Sequence, residues 1–155
     1  MKNFSILLLL ALAVFTQNVN AREITGNEPA AQTETVVYEN VYFNIDLVVY
    51  SEVEAGAKSV KYEFVVYPGG DPREISMTFS REDEKVLEDG KVIISGNVAD
   101  LITNTPQAFQ ENGLGEIEAV EAGFEVKGNN LNLTTGNYEQ AQILTITYQQ
   151  KSILP

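Results

Sequence analysis

The feature of this sequence that most restricts its fold is a series of short segments in which apolar and polar residues alternate. Alternation of apolar and polar residues is typical of strands that bury one face. In the clearest run, Tyr62, Phe64 and Val66 share one face. Turn-forming residues recur about every ten positions, a spacing typical of an antiparallel sandwich or barrel. We therefore expect a single all-β domain with an antiparallel, sandwich-like or barrel-like architecture.

The same pattern predicts the individual strands and turns. Residues 41–50 alternate as one continuous strand, with Phe43 among its inward-facing side chains. The pair Asp89-Gly90 favours a tight hairpin turn, because both residues readily take a positive φ. The segment 97–106 is the one place where a helical turn could lie. Further strands are predicted over 60–67, 73–80, 107–110, 116–127, 130–135 and 142–148.

The amino-terminal segment predicts export. Lys2 is followed by an uncharged apolar run over residues 6–15 and then by the small-residue sequence Val19-Asn20-Ala21. This order indicates a signal peptide, and the apolar run is too short to span a bilayer. We expect an exported protein in the periplasm, at the cell surface or in the medium. The predicted division is a signal peptide (1–21), a flexible polar leader (22–35), a β domain (36–148) and a C-terminal tail (149–155).

Charge and composition exclude several kinds of function. The chain has 22 acidic and 10 basic residues, a formal net charge of −12, and no cysteine or histidine. A negative field of this size repels nucleic acid and anionic lipid. Without cysteine and histidine the chain cannot form disulfides, the usual zinc sites, a cysteine nucleophile or a Ser-His triad. We therefore predict a protein that is not an enzyme, needs no cofactor, binds no nucleic acid and does not insert into the membrane after signal cleavage.

Acidic turns supply the candidate metal-binding and catalytic residues. Asp71 lies in a Pro-Gly-Gly-Asp-Pro turn and could bind calcium through oxygen ligands, but a turn cap explains the same residue without an ion. Residues 82–84, with Glu88 and Asp89 nearby, could supply a catalytic carboxylate pair, although a solvated run of charge is the preferred interpretation. We therefore assign no catalytic, cofactor-binding or metal-binding residue. The solvent-exposed face of the strand predicted over 116–127 would carry Glu116, Glu118, Glu121 and Glu125.

Five of the seven tyrosines lie in the first half of the chain. An aromatic surface can contact a glycan or a protein. Packing between neighbouring strands accounts for the same residues without a ligand, and it is the interpretation that we prefer. These five residues are Tyr38, Tyr42, Tyr50, Tyr62 and Tyr67.

The order of turn and core residues resembles that of a known bacterial domain family. Residues 62–72 read Tyr-Glu-Phe-Val-Val-Tyr-Pro-Gly-Gly-Asp-Pro, and residues 89–92 read Asp-Gly-Lys-Val. Residues 105–111 are similar to the family segment P-x-A-[YF]-Q, and residues 124–138 to its closing run V-x-G-N-x-x-x-F-x-x-G-x-Y. Over about residues 40–148 the chain resembles the domain of unknown function that precedes SBBP-type β-propeller repeats in secreted Bacteroidetes-like proteins.

The resemblance implies a secreted or cell-surface β module at the head of a larger repeat protein. In the family the final strand runs into a propeller repeat, whereas only seven residues follow Tyr148 here, so we expect a standalone domain. We predict a non-enzymatic protein-interaction or structural module of the cell envelope, which uses a sheet face or an open edge to bind a protein or glycan. The alternative is a calcium-dependent adhesion or glycan-binding domain.

Overall fold

β-Strands dominate the part of the chain that the computed structural model describes, which comprises residues 21–25, 34–54, 57–78, 85–95 and 100–153. A 3₁₀ helix, Pro72–Glu74, is the one helical element among them. The predictions of an all-β class, antiparallel sheets and a single domain are confirmed. The strands are β1 Ala21–Thr25, β2 Glu34–Tyr42, β3 Ile45–Glu54, β4 Ala57–Val66, β5 Ser76–Thr78, β6 Lys85–Glu88, β7 Lys91–Ile94, β8 Asp100–Thr103, β9 Gln107–Glu111, β10 Ile117–Val120, β11 Ala122–Lys127, β12 Asn130–Thr135 and β13 Leu144–Ile153.

The larger sheet is antiparallel and is organised around β13. Strands β1, β2, β3 and β4 pair in sequence order, and β4 then pairs with β13. On its other side β13 pairs with two strands placed end to end, β9 along residues 144–147 and β8 along residues 150–153. Strands β7 and β6 continue the sheet beyond β8, and β10 continues it beyond β9. The sheet therefore divides into two arms at the connection 104–106.

The smaller sheet, in the order β11-β12-β5, shares one apolar core with the larger sheet. In both sheets the buried residues alternate along the strands, as expected when one face is covered. The buried apolar residues of the larger sheet include Ile45, Leu47, Val49, Tyr62, Phe64, Val66, Val92, Ile94, Ala108, Leu144, Ile146 and Tyr148, and those of the smaller sheet and its preceding segment are Ile75, Phe124, Leu131 and Leu133.

An aromatic cluster joins the two sheets at the centre of the core. The Tyr148 ring stacks on Tyr62, with 4.9 Å between ring centroids, and meets Phe124 edge-on at 5.4 Å. The buried Tyr148 hydroxyl donates a hydrogen bond to Met77 Sδ. Burial raises the pKa of Tyr62 to about 12 and that of Tyr148 well above its usual value. Tyr148 of β13 is thus in contact with side chains from three other strands, β4, β5 and β11.

The predicted continuous strand over 41–50 is wrong at residues 43–44, which form a hairpin turn between β2 and β3. Phe43, predicted to face inward, is 73% exposed. Asn44 takes a φ of 54°, a left-handed conformation that asparagine tolerates better than most residues. A two-residue turn preserves the alternation of buried positions on its two sides, so the period of two continues through it unchanged.

Three other segments also differ from the sequence interpretation. Residues 73–74, predicted as the start of a strand, belong to the 3₁₀ helix. The segment considered for a helical turn contains β8, and its adjacent apolar residues Leu101 and Ile102 lie on opposite faces of that strand. The single strand predicted over 116–127 is two strands, β10 and β11, which belong to different sheets. The chain changes sheets at Glu121, whose carbonyl accepts a hydrogen bond from the Gly136 backbone N–H at 2.8 Å.

Described strands continue outside the range 36–148. Strand β1 pairs with β2 over five residues, so residues 22–25 and 34–35 of the segment expected to be a flexible leader are in strands. Strand β13 continues past the predicted boundary at Tyr148 to Ile153, since its last residues pair with β8. The predicted signal peptide, apart from Ala21, and the acidic residues 82–84 lie outside the described residues.

Candidate functional site

One end of the larger sheet is marked by a row of buried, paired residues. Four segments extend beyond this row, namely the β2–β3 turn at 43–44, the connection 67–75, the loop 136–143 and the β9–β10 turn at 112–116. The strand pairings bring these segments together although they are far apart in sequence. The row, taken across β3, β4, β13 and β9, consists of Ile45, Val66, Leu144 and Gln110.

Exposed large apolar side chains are concentrated at this end. Single exposed apolar residues are ordinary on protein surfaces, but several at one end of a sheet make that end a candidate contact surface. Every such residue among those whose exposure the structure describes lies beyond the buried row. They are Phe43 (73% exposed), Tyr67 (38%), Leu114 (86%), Ile117 (65%) and Ile143 (46%), and we call this set the apolar end.

The β2–β3 turn is held against the Pro-Gly-Gly-Asp-Pro turn by hydrogen bonds. The Tyr67 backbone N–H donates to the Asn44 carbonyl at 2.9 Å, and Asn44 Nδ2 donates to the Pro68 carbonyl at 3.1 Å. The backbone passes so close at Gly70 that a Cβ atom there would lie 2.7 Å from the Asn44 carbonyl oxygen. Phe43 and Tyr67 are therefore presented by turns that are fixed to one another.

Asp71, the candidate calcium ligand, caps the 3₁₀ helix. Its carboxylate accepts hydrogen bonds from the Arg73 backbone N–H at 3.0 Å, from Arg73 Nε at 2.9 Å and from Arg73 Nη2 at 2.7 Å. These hydrogen bonds from Arg73 lower the pKa of the Asp71 carboxyl. Among the described residues no group of three or more acidic side chains is placed to hold a metal ion. The Asp71 oxygens thus have the capping role that turn chemistry predicts.

The loop 136–143 is held by a buried glutamine. Gln110 is 5% exposed, and its Nε2 donates to the Glu139 carbonyl at 2.9 Å while its Oε1 accepts from the Glu139 N–H at 2.8 Å. The Gln110 amide thereby forms the two hydrogen bonds with the Glu139 backbone that a neighbouring strand would otherwise form. Gln110 ends the P-x-A-[YF]-Q segment, so this motif residue positions the loop that carries Ile143.

The apolar end is surrounded by negative charge. Its segments and the adjoining parts of β3, β9 and β10 contain a single cationic side chain, Arg73, which is paired with Asp71. The Asn112 amide in the β9–β10 turn donates to both Glu116 and Glu118 at 3.0 Å. The electrostatic potential at this end of the sheet is therefore negative. The carboxylates are those of Asp46, Asp71, Glu74, Glu111, Glu116, Glu118 and Glu139.

Comparison with known proteins identifies the family of this domain. A family model described as a domain of unknown function, DUF7948, matches residues 15–147. The chain belongs to the DUF7948 family. No curated protein matches the chain, and no solved structure matches it. Within the described part of this DUF7948 domain, no helix has the length and apolar character needed to cross a membrane.

The other residues considered from the sequence of this DUF7948 domain are dispersed. Glu125 pairs with Lys127 on β11, and Glu88 and Asp89 are exposed at the β6–β7 hairpin. The five tyrosines form no common surface, since Tyr62 is in the core and Tyr42 donates to the Ser76 carbonyl in the domain interior. The apolar end was not predicted. The alternating pattern treats every leucine or isoleucine as a buried residue, so it does not distinguish the exposed ones.

Replacing Gln110 by leucine in the DUF7948 domain is expected to lower the free energy of unfolding by about 1–3 kcal/mol, because the backbone N–H and C=O of Glu139 lose their hydrogen-bond partner. Urea denaturation measures the change. The amide hydrogen of Glu139 should also exchange faster with solvent, since it is the group released. Gln107→Leu, at an exposed position on the same strand, is the control and should stay within about 0.5 kcal/mol of the parent protein. Equal effects of the two substitutions would contradict the role assigned to Gln110.

Proposed function

We propose that this DUF7948 domain is an exported, non-enzymatic interaction module of the cell envelope that binds a protein partner through its apolar end. The observation that carries the proposal is the placement of five exposed apolar side chains beyond one row of the larger sheet. The charged residue Lys2, the apolar run over 6–15 and the small residues before Arg22 support export. The partner lies in the envelope or outside the cell.

The turns of the apolar end suit binding because they are already ordered. Hydrogen bonds from Asn44, Gln110 and Asn112 hold all four segments, since the Asn44 bond joins the β2–β3 turn to the connection 67–75. A surface fixed in this way loses little conformational entropy when a partner covers it. The polar groups beside the apolar side chains are engaged in maintaining the turns, an arrangement that favours contact over catalysis.

The chemistry of the exposed side chains favours a protein partner over a glycan. Leu114, Ile117 and Ile143 are aliphatic and offer no hydrogen bond to sugar hydroxyls. Burial of such side chains against apolar groups of a partner gives a favourable free energy of about 25 cal/mol per Å² of apolar surface. Carboxylates around them would select a partner with basic residues at its rim.

Serine substitutions at the apolar end test this proposal. The triple variant Phe43→Ser, Leu114→Ser and Ile143→Ser should keep the fold, because these side chains are exposed, and should retain at least tenfold less partner from an envelope extract. Quantitative mass spectrometry of the retained proteins measures the loss, and a melting curve checks the fold. The loss follows from removal of the apolar contact area at the centre of the interface.

The control is Glu125→Ser with Lys127→Ser, which removes an exposed ion pair on β11 and, like the triple variant, leaves the net charge unchanged. It should retain the same proteins as the parent domain. If the triple variant and the control retain equal amounts of every protein, the apolar end is not the binding surface and the proposal fails.

A further inference from the structure

Strand β10 is an exposed edge of the larger sheet. Among the described strands it pairs with β9 alone. Its residues Ile117, Glu118 and Ala119 are exposed, which leaves both faces of the strand open to solvent over most of its length. An edge of this kind offers unpaired backbone groups to a further strand.

The pairing with β9 decides which backbone groups of β10 point outward. The Asn112 N–H donates to the Glu116 carbonyl at 2.9 Å, so residues 112 and 116 form a hydrogen-bonded pair. In an antiparallel ladder hydrogen-bonded pairs alternate with non-hydrogen-bonded pairs. Glu118 therefore directs its N–H and C=O toward β9, whereas Ile117 and Ala119 direct theirs away from it.

The edge is continuous with the apolar end. Ile117 begins β10, and Leu114 lies in the turn that leads into it, so a strand added along β10 would also contact these two side chains. The hairpin formed by residues 107–120 carries Glu111, Glu116 and Glu118 and contains no lysine or arginine. A second copy of this chain, with a net charge of −12, is a poor occupant of an acidic edge.

From these observations we infer that β10 receives an extended, basic segment of the partner protein as an added β-strand. The inference rests on the proposed function and names the chemistry of the partner. The added strand forms backbone hydrogen bonds with Ile117 and Ala119, places its lysine or arginine side chains near Glu116 and Glu118, and contacts Ile117 with an apolar side chain. Backbone pairing supplies the affinity, and the alternating side chains supply the selectivity.

Two synthetic peptides of opposite charge test the inference. One is a ten-residue peptide of alternating valine and lysine, and the other has glutamate in place of lysine. Fluorescence anisotropy with the purified protein should show at least tenfold tighter binding of the lysine peptide, with an affinity that falls as salt is raised. The bound lysine peptide should slow hydrogen exchange at the amides of Ile117 and Ala119. Failure of both peptides to bind, or equal binding of the two, would overturn the inference.

A proline at the edge separates backbone pairing from charge attraction. Ala119→Pro removes an outward N–H, a change that an edge strand tolerates, and should reduce affinity for the lysine peptide at least tenfold. Ala119→Val keeps the N–H and should bind as the parent protein does. Unchanged affinity of the proline variant would overturn strand addition. If the serine variant of the apolar end loses the envelope partner and Ala119→Pro retains it, strand addition fails while the proposed function stands.

Discussion

Replacing Tyr148 by alanine is expected to lower the free energy of unfolding by about 3–5 kcal/mol, the range measured for loss of a large buried aromatic side chain. The ring contacts Tyr62 and Phe124, so its removal leaves a cavity that the strands of two sheets cannot close without moving. Chemical denaturation followed by circular dichroism measures the change. The variant should unfold at a much lower denaturant concentration, and an unfolding free energy within about 1 kcal/mol of the parent would contradict the central place given to this ring.

Tyr148→Phe is the matched control, because it keeps the ring and removes only the hydroxyl that contacts Met77. It should cost about 0.5–1.5 kcal/mol at neutral pH. Burial raises the pKa of Tyr148 above the usual value of 10.0, so the folded state keeps this proton at a pH where the unfolded chain loses it. Stability should therefore fall as pH rises above about 10, and the fall should be shallower for the phenylalanine variant. Parallel curves for the two proteins would contradict burial of the hydroxyl.

Replacing Gly70 by alanine is expected to be the most damaging change in the turns, with a loss of about 1–3 kcal/mol. The added Cβ would lie 2.7 Å from the Asn44 carbonyl oxygen and 3.1 Å from side-chain atoms of Ile45 and Val66. Relief of this contact requires the two turns to separate, which weakens the hydrogen bond between Tyr67 and Asn44. Thermal or urea unfolding measures the loss.

Gly113→Ala provides the comparison for the same chemical change. Gly113 lies in the β9–β10 turn, and a Cβ there would have no other atom within 4 Å. The variant should be as stable as the parent or slightly more stable, because alanine restricts the unfolded chain. If both alanine variants were equally stable, the close approach at Gly70 would have no energetic importance. The two variants should also differ in partner binding. Gly70→Ala should bind more weakly than Gly113→Ala, since it displaces the turn that presents Phe43.

Local chemistry was enough to predict much of the fold. The Asp89-Gly90 hairpin is confirmed, with φ of 49° and 74° at the two residues, because these residue types adopt the required conformation in almost any context. The buried face of Tyr62, Phe64 and Val66 is confirmed for a similar reason. The turn at Phe43 was missed because nothing in its alternation differs from a continuous strand.

Prediction was less successful where distant parts of the chain decide the outcome. The break at Glu121 depends on a hydrogen bond from Gly136, which local sequence does not reveal. Leu114 and Ile143 lie at the same end of the sheet because β9, which precedes the turn of Leu114, pairs with β13, which follows Ile143. The role of Gln110 depends on Glu139 across the fold. Asp71 was interpreted correctly as a cap because its partner, Arg73, is two residues away.

The central position of β13 has a consequence for how the chain acquires its structure. Val66 in β4 and Gln110 in β9 both pair with Leu144, and β8 pairs with the end of β13, so neither arm joins strands β1 to β4 until the last described strand has been synthesised. Such non-local pairing makes folding slow, because long loops must close before contacts stabilise them. Until β13 is present, the edges of β4 and β9 that it covers have no partner strand, and such edges are open to aggregation.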